Sequence, residues 1–175
     1  MNNESLTNNP WNKPSYLSPT QLTAWHTNRQ EYFLRYMATN RPPKFLQTQP
    51  MSVGSAFDAY VKHHLSLIFG PVQPLDELFE KQVEKHNWDF ARKAGVDCFN
   101  HYSDSGALAS LMNLLYKGQD ICLEYNNEVV IDGVPLNGKP DLGFTITPAK
   151  IRLDWKVNGY CSSANPFGGY KYLYH

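Results

Sequence analysis

The segment Ile151-Arg-Leu-Asp154-Trp155-Lys156-Val sets a carboxylate and an amine two residues apart in an apolar, strand-like run. Side chains alternate along a strand, so Asp154 and Lys156 share one face while Leu153, Trp155 and Val157 take the other. An acid and an ammonium held side by side can bind a divalent cation and steer a water toward a phosphate. A second acid, Asp141, ends Leu136-Asn-Gly-Lys-Pro-Asp141, thirteen residues before Asp154. Such chemistry calls for hard oxygen ligands, because Mg²⁺ prefers carboxylates and water to nitrogen or sulfur. Asp141 and Asp154 offer the carboxylates, and the Trp155 backbone carbonyl offers a further oxygen. Lys156 offers a group to position the water or stabilise charge on a pentavalent phosphorus.

The elements that would position these residues follow from periodicity. After Gly118 the pattern becomes strand-like, and residues 121–131, 134–146 and 150–157 read as three strands. Asp132-Gly133 is a two-residue hairpin turn, and Thr147-Pro148-Ala149 is a second, with proline where no ladder hydrogen bond is needed. Before Gly118 the chain reads as helical. Ser18-Pro19-Thr20-Gln21 combines an N-cap serine, a proline at the first position and a glutamine three residues on. Leu17, Leu22, Trp25, Phe33 and Tyr36 then mark an aromatic stripe on a helix ending near Met37, ahead of Arg41-Pro42-Pro43. A second helix starts near Gly54, carries Val53, Phe57, Tyr60, Val61, Leu65 and Ile68, and stops at Gly70-Pro71. A charged amphipathic stretch from Leu75 to Ala94 predicts a third. Asp104/Ser105 caps a fourth, bearing Leu108, Leu111, Met112 and Leu115. Helices first and an antiparallel three-strand meander after them give a mixed α/β fold in α+β order.

Composition narrows the class. A chain of 175 residues with 42% hydrophobic content is globular and most economically one domain, 16–175, behind a loose Asn-, Pro- and Ser-rich arm at 1–15. Sixteen Lys+Arg balance sixteen Asp+Glu, which argues against binding nucleic acid by charge alone and leaves room for a local basic groove. Cys98, Cys122 and Cys161 form no CxxC pair and read as free, mostly buried thiols in a reducing compartment. No apolar run nears the ~20 residues of a membrane span, and the N-terminus lacks a signal-peptide pattern. A soluble intracellular protein is the expectation.

Taken in order, Gly138-Lys-Pro-Asp141 and Asp154-Trp-Lys156 resemble the core of the PD-(D/E)XK nucleases, in particular their RecB-like and phage-exonuclease branch. Tyr16-Leu-Ser-Pro-Thr-Gln-Leu-Thr-Ala-Trp with Tyr32-Phe-Leu-Arg35-Tyr is similar to that branch's opening helix, and Gly54-Ser-Ala-Phe-Asp58 to its second. The resemblance covers about residues 16–160. It implies a restriction-endonuclease-like core, metal ligation by Asp58, Asp141, Asp154 and the Trp155 carbonyl, and Lys156 as the catalytic lysine. It further implies Mg²⁺ or Mn²⁺ as cofactor and DNA as substrate. The setting would be phage or recombination and repair DNA processing in the cytoplasm, with a recombination or replication protein as a further partner. Three departures stand beside it. Asp58 replaces the branch's usual histidine, and Thr27-Asn28 replaces a Cys-Pro, so no iron–sulfur cluster is expected. A later Gln-x-x-x-Tyr helix is missing, which makes the domain look truncated at its C-terminus.

Plainer readings exist for each residue. Arg152, Asp154 and Lys156 suit a solvated strand face, and Asp58 suits a helix surface. Glu124 and Glu128 fall on the first strand, where a surface position is the ordinary expectation and an extra ligand at the site is the alternative. Lys139 is a phosphate contact or simply a solvated lysine. His63-His64 lacks the i,i+4 spacing of a helical metal pair. The aromatic stripe reads as core, and Arg29 and Arg35 as candidates for a phosphate path. Two rival functions follow: a nuclease-fold module that binds DNA or a protein without cutting, and an interaction or inhibitor protein whose motif is accidental.

Overall fold

The computed structural model describes residues 12–157, which form two compact units. The first comprises residues 12–44 and 126–139, the second residues 45–125 and 140–157. Most of the expected N-terminal arm, Cys161 and the end of the chain lie outside the described residues.

In the first unit, helix α1 (Pro19–Thr27) starts on the predicted capping box: Ser18 Oγ accepts from the Gln21 N–H, and Gln21 Oε1 accepts from the Ser18 N–H at 2.7 Å. The single helix expected as far as Met37 is broken at Asn28. This residue is extended, and its side chain accepts from the Glu31 N–H, so it ends α1 and caps a new short helix, α2 (Arg29–Tyr32). Asparagine favours such a cap because its amide oxygen substitutes for the missing helical partner. A π-helical turn, Phe33–Met37, continues α2. Trp25, Tyr32 and Phe33 pack edge to face, with Tyr32 buried and Trp25 still partly open. Strands β2 (Asn127–Ile131) and β3 (Val134–Gly138) form the hairpin expected at Asp132-Gly133, where both turn residues have positive φ. Leu17 adds a parallel bridge to Leu136.

The second unit holds the main core. Helix α3 (Gln49–Phe69) starts five residues before the expected Gly54 and ends, as expected, at Gly70. The stretch 75–94 is two helices rather than one: α4 (Leu75–Gln82) stops at the extended Val83, and a 3₁₀ turn leads into α5 (Trp88–Asp104). The Trp88 indole donates to the Val83 carbonyl at 2.8 Å and so fixes that corner. Helix α6 (Ala107–Leu115) carries the predicted leucines inward. The sheet is the antiparallel meander β1 (Gln119–Leu123), β4 (Leu142–Ile146) and β5 (Ala149–Leu153), in that order. The architecture is therefore mixed helix and sheet, with the helices preceding the strands.

Two of the three expected strands prove to be pairs. Glu124 takes a φ of 55° and ends β1, and the chain leaves for the β2–β3 hairpin before returning at Pro140 to enter β4. β-strand 5 stops at Leu153, so Asp154–Val157 runs beyond the ladder. Alternation persists as far as Lys156: Asp154 and Lys156 are exposed, while Trp155 packs on the core of Phe57, Val61, Leu65, Leu142 and Phe144. Val157, expected beside Trp155, is exposed instead. The thiols depart from expectation in one case, since Cys122 is exposed on the solvent face of β1.

Helices α3 and α5 cross at Gly95, where a Cβ would lie 2.5 Å from the Ala56 Cβ. A Gly95→Ala change should therefore cost about 1–3 kcal/mol of stability, although alanine is the better helix former. Gly54→Ala, with nothing within 4 Å, should instead gain ~0.5–1 kcal/mol. Denaturant midpoints of the two variants check this, and equal shifts would contradict the close crossing.

Candidate metal and phosphate site

Three segments of the second unit deliver acids to one place. On α3, Phe57, Val61 and Leu65 face the core, and the neighbouring stripe turns Asp58 and Lys62, one turn apart, toward the sheet end. Beyond β1, Glu124 adopts the left-handed conformation that ends the strand, and its N–H donates to the Asp141 carbonyl at 2.8 Å. That bond holds the end of β1 and the start of β4 together. Asp141 is fixed from the other side, because its Oδ2 accepts from the Trp155 N–H at 2.8 Å. The expected approach of Asp141 to the Asp154-Trp155-Lys156 segment is thus present, made through the Trp155 amide.

Lys62 lies at the centre. Its side chain is only 4% exposed, and its Nζ stands 2.6 Å from Asp58 Oδ2, 3.2 Å from Glu124 Oε1 and 3.7 Å from Asp141 Oδ1. Glu124 Oε2 also faces the exposed Lys81 at 3.5 Å. Asp154 pairs with Lys156 at the exposed edge, near enough to Asp141 to bear on its carboxyl. The cleft over these groups has a volume of about 840 Å³ and is lined by Met51, Asp58, Lys62, Glu124, Asp141 and Lys156, among others. One wall is the segment before α3. There the Gln47 amide donates to Ser55 Oγ and to the Gln82 carbonyl, each at 3.0 Å, and accepts from the Glu84 N–H.

The electrostatics reflect this crowding. Burial pushes the Asp58 carboxyl upward, against the opposing pull of Lys62 and Gln82. Burial likewise raises Asp141 to about 6, the Trp155 N–H opposing it and the neighbouring Asp154 adding to it. Glu124 moves the other way: burial would raise it, but Lys62 and Lys81 outweigh that and hold it below the usual carboxylate range. For Lys62, burial disfavours the charge, yet its three carboxylates keep the ammonium above its ordinary value.

Of the residues expected from sequence, Asp58, Asp141, Asp154, Trp155 and Lys156 all belong to this one region. Lys62 is the residue that sequence reasoning missed. Glu124 was expected first on a strand surface and second as an extra ligand of the site, and its position at a strand break brings it to the second place. Lys62 had a weak signal in its i,i+4 spacing from Asp58. His63 and His64 are structural: His63 Nδ1 meets the Gln73 carbonyl at 2.7 Å, and His64 packs on Phe99. Glu128 lies in the first unit and bonds the Asn126 amide at 2.7 Å.

The oxygen-only donor set suits a hard cation such as Mg²⁺ or Mn²⁺. Asp58 Oδ1 adds to this fit, being buried with no hydrogen-bond partner. With Lys62 in place the acids do not form a coordination sphere: among the described residues no three His, Cys, Asp or Glu side chains are grouped as a metal ion would require. The chain matches no protein-family model, no curated protein and no solved structure.

Asp141 yields a signed pH prediction. A carboxyl raised in the folded state binds its proton more tightly there than in the unfolded chain. Its contribution to stability is full below about 3.8 and is lost as pH rises through about 6. Asp141→Asn removes that loss, so the stability of the variant relative to the parent should climb between pH 4 and pH 7. Urea titrations across that range would show it. A flat difference would contradict the raised value.

Proposed function

We propose that the chain is a metal-dependent DNA nuclease of the PD-(D/E)XK type, acting as an exonuclease in phage or recombination and repair DNA processing. The observation that carries this reading is the convergence of Asp58, Glu124 and Asp141 on one point, from a helix and two strand ends. Asp154, Trp155 and Lys156 stand at its edge. Mg²⁺ or Mn²⁺, held by Asp58, Asp141, Asp154 and the Trp155 carbonyl, would supply Lewis acidity toward phosphate oxygens and acidify the attacking water.

The protein's own groups have separable tasks. The Trp155 N–H fixes the Asp141 carboxylate, so that its free oxygen is presented to the cleft in one orientation. Lys156, more than half exposed, is free to leave Asp154 for a phosphate oxygen and to stabilise the charge that grows as phosphorus becomes pentavalent. Water attacks the phosphodiester in line and the 3′ oxygen leaves, so the product carries a 5′ phosphate. The balanced overall charge would accommodate DNA through local lysines, with Lys156 lining the cleft and Lys81 facing Glu124.

One observation favours a second reading, a nuclease-fold module that binds DNA or a protein partner without cutting. An internal ammonium already pairs with Asp58 and Asp141, two of the acids that would hold the ion.

Linear DNA incubated with the protein and Mg²⁺ or Mn²⁺ separates the two. The nuclease reading predicts cleavage that falls about 100-fold or more in both Asp154→Ala and Lys156→Ala. Cleavage undiminished in both variants removes the site assignment, and DNA retention without any cleavage supports the second reading.

A further inference from the structure

Lys62 has no task in the chemistry above, yet it is the most enclosed charged group of the site. Its side chain is 4% exposed, and carboxylate oxygens of Asp58, Glu124 and Asp141 surround it at 2.6–3.7 Å. An ammonium in that position does what a bound cation would do: it offsets the mutual repulsion of buried acids. A divalent ion would need contacts of ~2.0–2.1 Å to the same oxygens for Mg²⁺. An ion shared by Asp58 and Asp141 and the present Lys62 Nζ would be two like charges in contact. They exclude one another.

We propose that Lys62 is a tethered counter-cation that closes this site in the metal-free protein, and that a divalent ion must displace its ammonium from between Asp58 and Asp141. This deepens the nuclease reading and rests on it for the identity of the ion. The surroundings supply the means. Lysine carries a long flexible stem on which Nζ can swing while the backbone of α3 stays in place. Glu124 keeps a partner when Lys62 moves, because Lys81 already faces its second oxygen at 3.5 Å. Asp58 Oδ1, buried without a hydrogen-bond partner, gains a coordination contact in the ion. Being tethered, Lys62 pays no translational cost to occupy the site, so it competes at any protein concentration.

The inference has two readouts besides catalysis. Calorimetric titration with MnCl₂ should show Lys62→Gln, which keeps a polar side chain and loses the charge, binding about tenfold tighter or more than the parent. Mn²⁺ should also raise the melting temperature of Lys62→Gln more than that of the parent, which keeps the test open if the ion-free variant is only marginally folded. In the parent, mass-spectrometric mapping of reductive methylation should find Lys62 protected without the ion and labelled at saturating Mn²⁺. Equal or weaker Mn²⁺ affinity in Lys62→Gln, or no binding by either protein, overturns the proposal, as does Lys62 labelling that saturating Mn²⁺ leaves unchanged. Tighter binding by Lys62→Gln with no DNA cleavage by the parent would leave this inference standing and remove the nuclease reading. The reverse pattern would remove only the inference.

Discussion

A lysine ammonium taken out of water must be surrounded by negative charge or lose its proton, and the second unit is organised around meeting that demand for Lys62. The residue sits on α3 between core positions Val61 and Leu65, so its stem is committed to the interior. Its head is then matched by Asp58 one turn earlier, by Glu124 at the end of β1 and by Asp141 at the entry to β4. Each partner depends on a backbone feature. Glu124 needs the positive φ that breaks the strand, and Asp141 needs the amide of Trp155 and the carbonyl contact of Glu124. The apolar packing of Trp155 on the Phe57–Phe144 core then joins the extended segment beyond β5 to the same arrangement. Helix, sheet and site are coupled through one charge.

That coupling also orders the chemistry. Acids that share a buried cation are held close at reduced mutual repulsion, and on the proposed reading a dication takes over from the ammonium. The exposed pair Asp154 and Lys156 differs in kind, being weakly held in water and so available to a phosphate at little cost. A buried, tightly paired layer thus lies beneath a labile surface layer, and the proposed reaction draws on the two in different ways.

What the sequence revealed followed from local rules. The Ser18 capping box, the Asp132-Gly133 turn and the alternation through Asp154-Trp155-Lys156 are short-range patterns, and each appears in the structure. The break at Asn28 and the corner at Val83 were hidden, because the periodicity of apolar residues runs across both without interruption. The strand break at Glu124 had a local signal in Asn126-Asn127 just beyond it, turn residues that a reading of one continuous strand passed over. Glu124 therefore stayed a surface position first and an extra ligand second. Lys62 escaped notice because burial of a lysine depends on partners distant in sequence, and its i,i+4 spacing from Asp58 is equally at home on a solvated helix face. Asp58 and Asp141 stood out in the sequence as candidates, while the charge that holds them together did not.

The central claim, that Asp58, Asp141 and Asp154 frame a divalent-cation site, is tested most directly by anomalous diffraction from crystals soaked in MnCl₂. One strong peak is expected, bounded by those three carboxylates and within coordination distance of Asp58 and Asp141, with the Lys62 side chain turned away. A peak bound elsewhere, or none at saturating Mn²⁺ with Lys62 still between the acids, would contradict it.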